Sequence, residues 1–230
     1  MKALLALDTA TNILSIALSA GEQHWYRELD AGLTHSEVLM NLVDDLFKEA
    51  ALQPQDLEAV ACMKGPGSFT GLRIGFAAAK GMALALDIPL LACPTLDCIA
   101  YAWEPVSPLG EPWPGLVVPV LDARRQRFYA ALYAGGKRIS EEMDLDAAAL
   151  AQHIRTAAKA PIILTGVDAP LFLSRLEGPA IPGLYLDPLY RKGRGIELLA
   201  VAKKRLIVNN DKQSDVMSGP EYIRKSDAEL

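Results

Sequence analysis

The sequence contains few of the residues that build disulfide frameworks or metal centres. Three cysteines and three histidines occur among 230 residues. Cys62, Cys93 and Cys98 are odd in number, and none of them has C-x-x-C spacing. We therefore expect reduced, mostly buried thiols rather than a disulfide scaffold.

Long apolar runs are also missing. No stretch approaches the ~18–20 apolar residues needed to cross a bilayer. The N-terminal apolar run, residues 3–7, is followed at once by Asp8 and lacks the pattern of a secretory signal. These absences predict a cytoplasmic protein without a membrane segment.

Positive charge is in deficit overall, because 23 basic residues face 28 acidic ones, for a net charge of −5. A protein that holds nucleic acid alone usually needs a basic surplus to displace counterions from phosphates. The local exception is residues 191–205, with six basic residues and one acidic residue. A solvated helix face is the simpler interpretation of this basic stretch, and an RNA contact is the alternative.

Hydrophobic residues make up 51% of the chain, enough for one large domain or two small lobes. In the first half, the periodicity predicts alternating strands and helices. Thr34 and Glu37 have the spacing of a capping box at the start of the first helix. The predicted elements are strands 4–7, 13–18, 24–29, 57–63 and 88–93, and helices 34–51 and 71–86.

The same order begins again after residues 104–115, which hold four of the 15 prolines. Residues 7–18 align without gaps on residues 121–132, although a chance similarity of two hairpins is the alternative. We predict a two-lobed α/β fold of the actin/Hsp70/sugar-kinase kind, with duplicated ribonuclease-H-like lobes. The predicted lobes are 1–103 and 104–214, with a tail, 215–230, that packs back on the first lobe.

In that architecture each lobe has an aspartate at the end of its first strand. Asp8 and Asp122 coincide in the alignment and are candidate cleft residues, with Arg124 as a candidate anion contact. The alternative is that the aspartates cap turns at strand ends, where Asp is favoured, and that the arginine is solvated.

Residues 64–75 form the most distinctive segment, a predicted strand-to-helix turn rich in glycine. Such a turn can offer backbone N–H groups to an anion, but the spacing matches neither a Walker A loop nor G-x-G-x-x-G. The helix that follows has two rows of small residues four apart. These rows are Gly71, Gly75, Ala79 and Ala83, and Ala77, Gly81 and Ala85. Close packing on the chain's own sheet and contact with a partner helix both explain such rows.

The segment GPGSFTGLRIG resembles the hallmark of the bacterial TsaB (YeaZ) family. LALDTAT at the N-terminus, LDARRQRFYAALY in the second half and Pro220–Arg224 resemble further segments of that family, with Ile223 for leucine. The residues of the glycine loop that carry the resemblance are Gly65, Pro66, Gly67, Ser68, Phe69, Thr70 and Arg73.

The resemblance implies a non-catalytic activator in the synthesis of threonylcarbamoyladenosine in tRNA. Its implied partners are a TsaD-type transferase and a TsaE-type ATPase, with tRNA reached through the complex; a homodimer stays open. The family's pairing surface implies contacts from the first two helices. The residues predicted to contact the partner are His35, Leu39, Leu42, Val43, Gly71, Gly75, Ala78, Ala79 and Met82.

The resemblance also implies that the transferase paralogue binds its metal through a His-x-x-x-His pair. Here His35 occupies the first position and Leu39 the second, so we expect no metal. Residues 164–168 carry one glycine where an adenosine loop is usual. We expect no cofactor in the isolated chain, with ATP or ADP and Mg²⁺ only in the assembled complex. The alternative function is a free-standing kinase or acyltransferase that uses Asp8.

Overall fold

The computed structural model describes residues 2–32, 34–103, 113–157, 161–208, 214–221 and 223. These residues divide into two compact units. Unit 1 comprises the described residues within 1–98 and 193–222, and unit 2 those within 99–192 and 223–230. Most of the predicted proline-rich boundary, 104–115, lies outside the described residues.

The elements of the first half follow the predicted order. They are β1 (Ala3–Asp8), β2 (Ile13–Ala20), β3 (Gln23–Asp30), α1 (His35–Ala50), β4 (Leu57–Gly65), α2 (Phe69–Leu86), β5 (Leu90–Pro94) and α3 (Thr95–Tyr101), with a 3-10 turn at Pro54–Asp56. The predicted capping box at Thr34 is wrong, because this side chain makes no cap bond to the helix. Its hydroxyl instead donates to the carbonyl of Ala31, at 2.9 Å.

The second half continues with shorter elements. They are β6 (Leu116–Asp122), β7 (Arg127–Ala130), β8 (Tyr133–Ala134), β9 (Lys137–Arg138), β10 (Met143–Asp146), α4 (Ala147–Ala157), β11 (Ile162–Thr165), α5 (Ala169–Ser174), β12 (Leu184–Leu186) and α6 (Gly195–Val208), with a 3-10 turn at Asp215–Met217. Elements as short as α5 and β12 show no clear periodicity in the sequence.

Unit 1 is built on a five-stranded sheet of order β3-β2-β1-β4-β5. The hairpin strands β1, β2 and β3 are antiparallel, whereas β4 and β5 run parallel to β1. Every residue of β1 is buried. Alternate side chains of β1 enter two apolar clusters: Leu5 and Leu7 pack in the cluster that includes α1 and α2, and Leu4 and Ala6 pack with α6.

The position of α6 corrects the predicted domain boundary. Residues up to 214 were expected in the C-terminal lobe, but α6 belongs to unit 1. Its apolar residues Leu198, Leu199 and Ala202 are buried with the second face of the central sheet. That face is apolar and must be covered, which a helix distant in sequence does here. Unit 1 also ends earlier than predicted, at Cys98 rather than residue 103.

Unit 2 has the same sheet topology as unit 1. Its main path is β10-β7-β6-β11-β12, with antiparallel pairs on one side of β6 and parallel pairs on the other. The short strands β8 and β9 extend this sheet beside β6. The equivalent strand order confirms the duplication that the alignment of residues 7–18 and 121–132 predicted. Asp8 and Asp122 end the central strands of the two sheets.

Candidate functional site

The glycine loop, residues 65–71, lies against the turn between β1 and β2. The amide of Ser68 donates to the carbonyl of Ala10, at 2.7 Å. A Cβ at Gly67 would lie 2.5 Å from the same carbonyl oxygen, so only glycine fits there. The loop glycine and the Ser68 amide thus serve packing within the unit, and this amide is not available to cradle a phosphate.

The first turn of α2 continues this intramolecular contact. The Thr9 hydroxyl donates to the carbonyl of Gly71, at 2.8 Å. A Cβ at Gly71 would lie 2.0 Å from the Thr9 carbonyl oxygen, and one at Gly75 would lie 2.2 Å from the Thr9 hydroxyl oxygen. On the outer side, the Arg73 guanidinium lies over the Phe69 ring, 3.8 Å from its centroid, and Thr70 is exposed.

The two small-residue rows of α2 therefore have different environments. The row that begins at Gly71 is buried against the sheet of unit 1. The second row, together with Leu84, is exposed, and a Cβ at Gly81 would meet nothing within 4 Å. We call this exposed row the outer face of α2: Ala77, Gly81, Leu84 and Ala85.

Burial corrects part of the predicted contact surface. Six of the predicted contact residues are buried within unit 1, because α1 and α2 use them to cover the sheet, so they cannot touch a partner as predicted. These are His35, Leu39, Val43, Gly71, Gly75 and Ala79. Leu42, Ala78 and Met82 are partly buried, and their contact with a partner stays a prediction.

Between α1 and α2 the surface forms an open groove of about 540 Å³. Its lining combines apolar side chains with an ion pair, Lys48–Asp44, whose N–O distance is 2.6 Å. The apolar lining includes Met40, Phe47, Leu52 and Met82. Met40 is 48% exposed. Met40 lies four residues before Asp44, so the helical period places both on one face of α1. The sequence does not show that Met40 is exposed on that face.

Helix α2 is unusually apolar for a helix with so much exposed surface. By length and composition it could cross a membrane, and it is the one such helix among the described residues, yet only 33% of that stretch is buried. Its inner face packs tightly on the Thr9 turn, which assigns that half to the core of unit 1. Among the described residues of unit 1, none buries the outer face, whose four residues are all exposed.

His35 has a structural environment. It is 4% exposed, and its Nε2 lies 2.9 Å from the carbonyl oxygen of Thr11, to which it donates. Burial lowers the pKa of this imidazole, which favours its neutral form. Across the part of the chain that the structure describes, no group of three or more His, Cys, Asp or Glu side chains could hold a metal ion. The three cysteines are free and buried, as predicted.

The start of α6 is attached to the sheet of unit 1 through three consecutive amides. A side chain from β1, β2 or β3 accepts a hydrogen bond from each of these amides. The pairs are Gly193 with Glu28 Oε2 at 2.7 Å, Arg194 with Asp8 Oδ2 at 2.8 Å, and Gly195 with Ser15 Oγ at 2.8 Å. This arrangement satisfies the orphan donors at a helix start, a role that the alternative prediction of Asp8 as a turn cap did not include.

The burial of Asp8 removes its carboxyl group from water. It is 2% exposed, and burial raises the pKa of its carboxyl group from 3.8 to about 6, despite hydrogen bonds from Arg194, Ala10 and Ser15 that lower it. Both carboxylate oxygens accept bonds within the unit, since Oδ1 accepts from the amide of Ala10 at 3.1 Å.

This pKa predicts a distinct pH dependence of stability. The folded chain holds the Asp8 proton more tightly than the unfolded chain, so the contribution of Asp8 is fully present below pH 3.8 and is lost as the pH rises through about 6. The loss corresponds to about 3 kcal/mol. Urea unfolding between pH 4 and 7 should therefore show the stability of Asp8→Asn improving relative to the native chain as the pH rises. Stability curves of Asp8→Asn and the native chain that stay parallel from pH 4 to 7 contradict the prediction.

Asp122 sits in the equivalent turn of unit 2. Its Oδ1 accepts from the amide of Arg124 at 2.9 Å, and its own amide donates to Asp168 Oδ2 at 2.8 Å. Arg124, Arg125 and Gln126 all have positive φ, between 50° and 61°. The Arg124 side chain is 88% exposed, and its guanidinium lies 3.6 Å from Asp122. Asp122 is thus a turn-capping residue, and whether Arg124 binds an anion stays a prediction.

The basic stretch at residues 191–205 is less available than its charge indicates. The Arg194 side chain is 5% exposed and lies 3.4 Å from Glu197. Arg205 donates to the carbonyl of Ala92 at 2.8 Å and to Asp215 at 3.2 Å. Two of the six cations therefore serve contacts within unit 1, which reduces the basic surface open to RNA.

Comparison with known proteins agrees with this architecture. The family model described as TsaD, tRNA N6-adenosine threonylcarbamoyltransferase, matches residues 30–169. The protein TsaB of Bacillus subtilis is 39% identical over 132 residues, 56% of this chain and 54% of that protein. TsaB of Haemophilus influenzae is 35% identical over 127 residues, 55% of this chain and 51% of that protein. The chain thus spans about half the length of the curated relatives it matches.

A crystal structure from Pseudomonas aeruginosa, of a protein described as similar to the peptidase YeaZ, superposes with a TM-score of 0.80. It is 27% identical and covers 97% of this chain and 100% of its own. Two α/β units with the same strand order define a duplicated α/β protein. The chain belongs to the TsaB (YeaZ) family and carries a TsaD-type domain over residues 30–169.

Proposed function

We propose that this chain is a non-catalytic activator subunit in tRNA threonylcarbamoyladenosine synthesis. It binds a TsaD-type transferase and supports transfer of the threonylcarbamoyl group from threonylcarbamoyl-adenylate to N6 of the adenosine beside the anticodon. The names of its relatives, TsaB proteins of this pathway, support the reaction. The activity, the substrate and the partner of this chain are all part of this proposal.

The observation that carries the proposal is the outer face of α2. Arg73 and Lys80 are the charged residues of this otherwise mostly apolar helix, and two thirds of it is not buried. The exposed residues Ala77, Gly81 and Ala85 lie four apart, so they share one helix face that lets another backbone approach closely. Exposed Met40 on α1 and the groove that Met82 of α2 helps to line add further apolar surface on the same two helices. A helical partner surface fits this shape and polarity.

The alternative, a free-standing enzyme that uses Asp8, has less support. A catalytic acid or base needs access to its substrate. Asp8 is 2% exposed, and its oxygens accept hydrogen bonds from the backbone amides of Ala10 and Arg194. The environment thus favours a structural role.

The assembled complex supplies the remaining functions in this proposal. A TsaE-type ATPase joins the pair, nucleotide and Mg²⁺ bind in the assembled complex, and tRNA is bound mainly by the transferase, in the cytoplasm. The net charge of −5 supports indirect contact with tRNA, because an acidic chain gains little from counterion release. The outer face of α2 could also pair two copies of the chain before the transferase displaces one.

A reconstituted transfer assay tests the proposal. The chain, the candidate transferase and the ATPase are purified separately and supplied with threonylcarbamoyl-adenylate and unmodified tRNA. We expect no modified adenosine with the chain alone, little with the transferase alone, and at least about tenfold more when the two co-elute as a complex. Transfer by the chain alone, or full activity of the transferase without it, contradicts an activator role.

A further inference from the structure

The C-terminal residues 214–221, which we call the C-terminal strap, cover the edge of the sheet in unit 1. Strand β5 is the edge strand, and an open edge presents unpaired N–H and C=O groups. The amide of Leu90 donates to Ser214 Oγ at 3.0 Å, and the amide of Ala92 donates to Asp215 Oδ2 at 2.8 Å. Arg205 bonds both the Ala92 carbonyl and Asp215, which joins α6, the edge strand and the strap.

The far end of the strap lies on the glycine loop. The amide of Glu221 donates to the Lys64 carbonyl at 2.7 Å, and the two side chains form an ion pair at 2.5 Å. A Cβ on Gly65 would lie 2.3 Å from the Glu221 carbonyl oxygen. Position 65 is therefore restricted to glycine both by the crossing of the strap and by its own φ of +127°.

These contacts form a continuous path from the strap to the start of α2. Gly65 is the first residue of the glycine loop, whose Ser68 amide is bonded to the β1–β2 turn. Ser68 is also the N-cap of α2, since its Oγ accepts from the Gly71 amide at 3.2 Å. In the middle of the strap, Val216 packs against the apolar cluster that contains the inner face of α2. The two most distinctive sequence segments, GPGSFTG and the Pro220 segment, thus meet in one structure.

We propose that the C-terminal strap is a releasable clamp that holds the glycine loop and the start of α2 in the position a partner protein binds. The inference that a partner binds α2 rests on the function proposed above. The strap is attached by a few polar bonds and by the packing of Val216. Much of its surface is exposed to solvent: the Glu221 side chain is 67% exposed and Met217 is 93% exposed. Such a segment opens locally at far lower cost than the unit unfolds. Opening it uncovers the edge of β5 and removes the support of Gly65.

Hydrogen exchange on the full chain tests the clamp. The double variant Ser214→Ala/Asp215→Ala removes both acceptors of the β5 edge. The matched control Asp146→Ala removes the same kind of bond, from the Ala149 amide at 2.8 Å, in unit 2. We expect the amides of Leu90, Ala92 and Glu221, and those of Ser68 and Leu72, to exchange about tenfold faster or more in the double variant. The variant loses the side-chain acceptors of the Leu90, Ala92 and Val216 amides and of Arg205. Amides of β1 and β2 should keep their protection, which distinguishes local opening from unfolding.

Partner affinity is the second measurement. The dissociation constant for the transferase should rise about tenfold in the double variant and stay unchanged in Asp146→Ala. If Leu90 and Ala92 exchange faster while Ser68 and Leu72 do not, the strap does not hold the loop and the clamp is overturned. Faster exchange in the loop with unaltered affinity overturns its link to the partner. If the native chain itself fails to bind the transferase, the proposed function fails, and the exchange rates still support or overturn the clamp.

Discussion

Replacing Gly81 by leucine is expected to weaken binding to the transferase at least about a hundredfold, equivalent to roughly 2.7 kcal/mol, while the chain remains folded. Gly81 is exposed on the outer face of α2, and a Cβ there would meet nothing within 4 Å. Leucine is a better helix former than glycine, so the substitution should not destabilise the isolated chain. In a complex, the new side chain would fill the space into which the partner's backbone must pack.

Titration calorimetry with the purified transferase measures this effect. The control is Gln152→Leu, which places the same apolar side chain on an exposed position of α4 in unit 2. Affinity should be unchanged in the control, and thermal unfolding should be unchanged or higher in Gly81→Leu. Normal affinity in a folded Gly81→Leu chain would show that the outer face of α2 is not the contact surface.

Gly71→Ala, by contrast, is expected to lose about 3 kcal/mol of folding stability or more. A Cβ at this position would lie 2.0 Å from the Thr9 carbonyl oxygen, which is backbone and cannot rotate away. The gain of about 1 kcal/mol from helix propensity is too small to offset such a contact. The bond from the Thr9 hydroxyl to the Gly71 carbonyl, at 2.8 Å, would be distorted as well.

The same substitution in the same helix provides the control. Gly81→Ala should raise the free energy of unfolding by up to about 1 kcal/mol, because it gains propensity without a clash. Urea unfolding of both variants, monitored by far-UV circular dichroism, compares the two directly. Equal effects at the two glycines would contradict the assignment of an inner and an outer face to α2.

These two glycines show why the sequence alone did not distinguish the inner from the outer row of α2. A period of four identifies rows of small residues, and each row is equally compatible with a sheet or a partner behind it. The row of Gly71 and Gly75 proved to be the inner one, because the Thr9 turn approaches it. The row of Ala77 and Gly81, equally visible in the sequence, is the exposed one.

The fold was more accessible to prediction than the site. The alignment of Asp8 on Asp122 predicted two related lobes, and both sheets have the same order of strands. Long elements with clear periodicity, such as α1 and α2, lie within two residues of their predicted bounds. The unit to which α6 belongs was predicted wrongly, since its place depends on contacts with Leu4 and Ala6 nearly 200 residues away in sequence.

Local patterns in the amino-acid order were sufficient for the strands, the helices, the duplication and the family resemblance, because periodicity and turn chemistry act over a few residues. The role of each pattern depended on long-range contacts. Asp8 became a cap for α6, the glycine loop became a support for α2, and the Pro220 segment became a strap over Gly65. A sequence motif shows where small residues allow another segment to pack closely. Which segment packs there is determined only by the tertiary structure, because the two segments are far apart in the sequence.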